Sequence, residues 1–187
     1  MRKIFLLLAA IFFTTSLLAQ TNSFPPVDKS PMDMSYYPAN YPVQKIQDKI
    51  TEPLAARVIY SRPQKLGRVV FGELLKYGEV WRMGANEATE IQFFRHVKIG
   101  GKKIKPGRYT LYAIINETSW AIILNNETDT WGAFKYSAKK DVVRVEVPVQ
   151  KTESIIESLA MIFEKTTTGI NLVVAWDNVK ASLPIQF

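Results

Sequence analysis

Between Tyr60 and Thr89 the chain gathers Arg62, Arg68, Glu73, Glu79, Arg82, Asn86 and Glu87 around four glycines, Gly67, Gly72, Gly78 and Gly84. A glycine-punctuated stretch of mixed charge inside an apolar framework is a loop-rich connection on which polar side chains converge. The first chemistry this allows is recognition of a small polar ligand, a glycan or an envelope partner. Arg82 offers a planar fork to a carboxylate, phosphate or sugar hydroxyl, Asn86 orients the guest, and Trp81 supplies a stacking face. Arg62, Arg68 and Glu87 complete that ligand-binding set. The second is carboxylate-based hydrolysis, with Glu87 as acid or base and Arg82 and Asn86 stabilising the developing charge. Two carboxylates suffice for glycoside hydrolysis, and Glu87 with Glu90, or Glu87 with Asp177, are the available pairs. A purely structural reading uses the same residues. Arg82 then pairs with Glu87 or Glu73, Asn86 closes a turn, and the glycines let the chain cross between sheets.

Other chemistry is excluded by residue type. The 187 residues include no Cys and a single His, so thiol catalysis, disulfides and a zinc site built on several histidines are ruled out. His96, in Phe93-Phe94-Arg95-His96-Val97, reads as a partly exposed strand histidine rather than the base of a triad. There is no G-x-S-x-G elbow, no phosphate-cradling glycine loop and no dinucleotide fingerprint. Asn125, Glu127 and Asp129 lack the pattern of an EF-hand loop and read as a solvated hairpin end. No metal and no cofactor is therefore expected.

Among the aromatic residues, Trp120 and Trp176 fall in register with aliphatic neighbours and read as core, whereas Trp131 and Tyr136 lie where alternation breaks and could form an exposed stacking surface. The basic excess is densest from Lys98 to Arg108, where Lys102, Lys103 and Lys105 read as the solvated edge of a hairpin. Nothing there combines aromatic and basic residues as a nucleic-acid site would, so no nucleic-acid partner is expected. Asn116-Glu117-Thr118 and Asn126-Glu127-Thr128 match glycosylation acceptors and read as turns.

The elements that must position these residues are strands. Alternation places Tyr109, Leu111, Ala113 and Ile115 on one face, and likewise Trp120, Ile122 and Leu124. It does the same for the valines from 143 to 149, for Leu159, Met161 and Phe163, and for Ile170, Leu172, Val174 and Trp176. Gly100-Gly101, Pro106-Gly107, Asn116-Glu117, Asn125-Asn126 and Thr168-Gly169 supply the turns between them. Short strands joined by tight turns define an all-β fold, an antiparallel β-sandwich of jelly-roll-like type, over residues 55–187. The capping-box spacing from Ser154 to Glu157 is too short to support a helix.

Residues 20–54 carry six of the ten prolines together with Tyr36, Tyr37 and Tyr41. Proline at this density excludes a central strand, and the aromatics argue for a proline-rich arm packed on the domain, with a helical turn or two near Val43, Ile46 and Ile50. Residues 1–19 have a signal peptide's pattern: Arg2 and Lys3, an apolar core from Ile4 to Leu18, and a small residue, Ala19, at the cleavage site. That apolar run is shorter than the roughly 20 residues a spanning helix needs, so no membrane anchor is expected after cleavage. The reading is an exported protein, periplasmic or at the cell surface. Loss of Arg2 and Lys3 lowers the formal charge from +7 to +5. With 47% hydrophobic and 22% charged residues, an ordinary apolar core suffices without disulfides.

Ser61-Arg62-Pro63, Arg68 with Phe71-Gly72-Glu73-Leu74, Trp81-Arg82 and Gly84-Ala85-Asn86-Glu87-Ala88-Thr89 together resemble the signature of the family of domain of unknown function 2911 (DUF2911), found largely in secreted proteins of Bacteroidetes-type bacteria. Ser30 to Pro38, Ala39-Asn40-Tyr41-Pro42, Ala113-Ile114 and Trp131-Gly132 with Tyr136 are similar to the same family. The resemblance implies that the arm belongs to the fold and directs attention to the surroundings of Arg82. It carries no activity with it.

Overall fold

The computed structural model describes residues 24–187; the expected signal segment, 1–19, lies outside the described residues. The described chain is all-β and antiparallel. Ten strands follow in order: β1 (Met32–Tyr37), β2 (Ala56–Ser61), β3 (Val80–Trp81), β4 (Glu90–Phe93), β5 (Val97–Ile99), β6 (Lys102–Ile104), β7 (Gly107–Ile115), β8 (Ser119–Asn125), β9 (Asp141–Lys165) and β10 (Gly169–Gln186). One helix, α1 (Tyr41–Ile46), lies between β1 and β2, and a 3-10 turn at Ala138–Lys140 precedes β9. No helix among the described residues is long and apolar enough to cross a membrane.

The strands are ordered β1-β2-β4-β7-β8-β9-β10-β5-β6, with β3 added beside β7. The sheet turns back on itself through β9. Its first part, up to Pro148, pairs with β8, and its remainder pairs with β10. One strand therefore belongs to two facing layers, giving a sandwich-like arrangement. Between the layers, Trp81 of β3 stacks on Trp176 of β10 at 6.3 Å and meets Trp120 of β8 edge-on at 5.8 Å. Leu111, Ile91 and Val58 from one layer and Leu159, Leu172 and Val174 from the other complete this core. The inward positions are those of the alternating apolar pattern, which is why β7, β8 and β10 form where they do.

Within the proline-rich segment, the described residues 24–54 contribute more than a covering. Met32–Tyr37 contains no proline, so every residue pairs along β2, from Met32 opposite Ser61 to Tyr37 opposite Ala56. The flanking Pro31 and Pro38 end the strand on either side. Its side chains also tie across to the second layer, where Ser35 Oγ donates to the Met161 carbonyl at 2.5 Å. Tyr60 of β2 reaches the same residue, its hydroxyl accepting the Met161 amide at 3.0 Å. On the β5–β6 hairpin, at the end of the sheet, Lys98 and Lys103 are exposed, and Lys102 donates to the Val142 carbonyl at 2.6 Å.

Candidate functional site

The six residues expected to bind ligand do not share one cleft. Arg62 donates from Nε to the Leu159 carbonyl at 3.0 Å and pairs with Asp33 at 2.9 Å, fastening β1 to β9. Arg68 turns back on its own loop, donating to the carbonyls of Lys65 and Gln64. Trp81 is buried among the core tryptophans, its indole N–H donating to the Gly84 carbonyl at 3.3 Å, so it presents no face to a ligand. Arg82 forms no ion pair among the described residues, and its buried Nε has no partner. Burial holds that guanidinium below the usual arginine range.

Asn86 and Glu87, in contrast, meet Trp131. The segment Met83–Thr89 is a tight excursion in which Met83 and Asn86 take left-handed φ values of 56° and 57°. It docks on the 126–137 loop by backbone contacts. The Gly132 amide donates to the Asn86 carbonyl and the Ala88 amide to the Thr130 carbonyl, both at 2.9 Å, with Glu87 bridged to Trp131 between them. The 126–137 loop is held from beneath as well. Thr110 Oγ1 donates to the Glu127 carbonyl, the Glu127 amide to Asn125 Oδ1, and the Asp129 amide to Glu90 Oε1.

On this fixed loop Trp131 is 61% and Phe134 86% exposed. Gly132 allows the pair to sit together: its φ is +65°, and a Cβ there would come within 2.6 Å of the Phe134 ring. Phe134 lay outside the sequence-based candidates; its signal was proximity to Trp131 in the same break of alternation. With Tyr112, Thr128, Thr130 and Lys135 the two rings border a depression of about 400 Å³. Its floor is rigid: Tyr112 is buried, hydrogen-bonded to Thr130 at 3.1 Å, and packed edge-on against Tyr136 at 5.0 Å. Tyr136 donates its hydroxyl to Asp141 at 2.7 Å and accepts from Arg144 at 2.5 Å. Burial, followed by that bond to Asp141, pushes the Tyr136 phenol up to about 12. Tyr136 is thus a support for the surface, and Trp131 and Phe134 form its face.

Two bases engage three of the acids around this surface. Arg108 pairs with Asp129 at 2.5 Å and with Glu90 at 3.3 Å, while Lys140 pairs with Glu127 at 2.6 Å. A second, smaller depression of about 160 Å³ adjoins it, sharing Asp129 and Thr130 and bringing in Glu87 and Glu90. Glu87 and Glu90 are therefore neighbours in one hollow, whereas Asp177 lines a separate cleft with no residue in common. His96 is exposed beside β5. No three His, Cys, Asp or Glu side chains among the described residues are grouped to hold a metal ion.

Fold and surface together define an all-β protein that holds an outward-facing aromatic loop beside a hollow lined by Glu87, Glu90 and Asp129, the last two paired with Arg108. The chain belongs to the family described as protein of unknown function (DUF2911), whose model matches residues 41–185, from α1 almost to the end of β10. Comparison with curated proteins and with solved structures found no match.

Proposed function

We propose that this is an exported binding protein whose Trp131–Phe134 surface takes a glycan of low net charge. The observation that carries the reading is the exposure of two large aromatic side chains on a loop anchored by backbone hydrogen bonds to Asn86 and Ala88. Large apolar groups held rigidly in water are costly unless a partner covers them. A sugar ring suits this surface because its C–H face lies on an aromatic ring while its hydroxyls reach flanking polar groups, here Thr128, Thr130 and Lys135. Glu127 pairs with Lys140, and Glu90 and Asp129 share Arg108, while Glu87 and Lys135, which form no ion pair among the described residues, are of opposite sign, so the net charge around the surface is small. Export rests on the N-terminal sequence, and in a periplasmic or surface setting glycans are abundant partners.

Affinity electrophoresis in gels containing soluble polysaccharides tests this reading. The full mature chain should be retarded by at least one of them, and Trp131→Ala with Phe134→Ala should abolish the retardation while leaving the stability from urea unfolding within about 0.5 kcal/mol of wild type, as for exposed positions. Free migration of the wild-type chain in every gel, or equal retardation of the double variant, overturns it. The neighbouring carboxylates support a second reading, a carboxylate-based hydrolase with Glu87 as acid or base. Arg108 already engages Glu90 and Asp129, so Glu87 would act without a free carboxylate partner in this hollow. Release of reducing ends that disappears in Glu87→Gln, with retardation unchanged, would favour hydrolysis.

A further inference from the structure

Beside the pairing between β9 and β10 lies a cleft built around Asp177, a residue the sequence nominated only as a carboxylate partner for Glu87. Its origin is a break in register. Ala175 faces Ala160, Asp177 faces Ile156 and Val179 faces Lys151, so opposite the single residue Asn178 the strand β9 carries four residues, Thr152–Ile155. Bulges of this kind bend a strand away from its partner and re-aim side chains. The resulting cleft has a volume of about 460 Å³, within the range of small-molecule sites, roughly 300–1,000 Å³.

At its floor Asp177 sits in the left-handed region at φ 55°, inside a strand, a conformation that non-glycine residues adopt only at some cost. It is almost fully buried and pairs with Lys65 at 2.8 Å, the two side chains being 11% and 18% exposed. The pair is incompletely used by the protein. Lys65 Nζ donates to Asp177 Oδ2 and to the Arg68 carbonyl at 2.6 Å, two of its three protons. Asp177 Oδ1 accepts no hydrogen bond from the described residues. A donor and an acceptor thus stand side by side at the base of a concave site. The amides of Asn116 and Asn178 add further donors and acceptors, and Phe71, Tyr77 and Ile155 give apolar walls.

We propose that this cleft is a binding site for a neutral polyol, a monosaccharide or the terminal sugar of a glycan. The charge pattern argues for a neutral guest: Lys65 neutralises Asp177, and at the mouth Glu117 faces the cleft together with Lys151. Neighbouring hydroxyls match the adjacent donor and acceptor, and the carbon face of a ring matches the apolar wall. Asp177 Oδ1, free of protein partners among the described residues, is not sealed in the interior, so a guest in the cleft can reach it in place of water. The site shares no lining residue with the Trp131–Phe134 surface and does not depend on binding there.

The test is titration of the isotope-labelled mature chain with glucose, galactose, N-acetylglucosamine, myo-inositol and short linear glucan oligomers, following backbone amide shifts. Saturable shifts at Lys65, Asn116, Lys151 and Asn178 are expected, unchanged in Trp131→Ala with Phe134→Ala. Replacing both members of the pair, Lys65→Met with Asp177→Asn, avoids leaving one charge buried alone. It should weaken binding roughly tenfold or more. Should that variant misfold, Asn178→Ala is expected to weaken binding severalfold in a folded chain. A response to single sugars marks a free ligand, and a response to the oligomers alone marks a chain end. Absence of saturable shifts at these amides with every compound overturns the proposal, as does undiminished affinity in a folded paired variant or in Asn178→Ala.

Discussion

Arg82 shows how far a residue's type is from its role. An arginine between tryptophan and a glycine-rich run suggests either a ligand clamp or half of an ion pair, yet among the described residues its buried Nε has no partner and it forms no ion pair. Removing such a group leaves no counter-charge stranded. Arg82→Met is therefore expected to change stability by less than about 1 kcal/mol in urea unfolding, and to raise it if desolvation dominates. Arg62 differs, because Arg62→Ala strands the Leu159 carbonyl and releases Asp33. A loss of about 1–2 kcal/mol is expected there, most of it from the hydrogen bond, since the ion pair is substantially exposed. Tyr136 gives a pH signature. Its phenol is raised from the ordinary value of 10 to about 12, so the folded state favours the neutral form. The stability this contributes is complete below pH 10 and is lost as pH rises from 10 to about 12. The ultraviolet titration of the wild-type chain should contain a phenolate step near pH 12 that is missing from Tyr136→Phe.

Among the elements, those that pack one face inward were legible. Trp120, Ile122 and Leu124 on β8, and Ile170, Leu172, Val174 and Trp176 on β10, are buried as their alternation implies. Asn116-Glu117 and Gly100-Gly101 lie at hairpin reversals, where local backbone preference and strand pairing agree. What escaped was set by pairing between distant segments. The Ser154–Glu157 stretch has no strand periodicity of its own, yet it continues β9 and creates the bulge at Asp177. Likewise β1 is specified by its complement β2 and by Pro31 and Pro38 at its ends, rather than by a strong apolar pattern. The candidate site was legible only in part: Asn86, Glu87 and Trp131 meet through backbone bonds, which side-chain chemistry does not announce. The 126–137 loop yields its own prediction. Gly132→Ala places a side chain at φ +65° and displaces the Phe134 ring, costing about 1 kcal/mol in stability. Retardation by polysaccharide should weaken far more than that small loss implies.

At the scale of the whole molecule, Met32–Tyr37, ahead of the domain start expected at Ala55, is part of the sheet. Chains beginning at Ser30 should match the mature protein, because β1 is intact. Chains beginning at Pro38 lose Tyr37 from the core and uncover the edge of β2. A loss of at least about 2 kcal/mol is expected from the buried tyrosine alone, read from urea midpoints at comparable slope. The neighbours β2 with β4 and β10 with β5 are far apart in sequence, so the chain has to close large loops before much of its sheet can form. Refolding on the millisecond-to-second scale is the expected result in stopped-flow fluorescence.

The passage of β9 from one layer into the other has a mechanical consequence. There is no seam along which the layers could part, because peeling either one away pulls on the same strand. A protease acting on the native protein should therefore trim the ends and release no stable half. Under load, the molecule should give way in a single rupture.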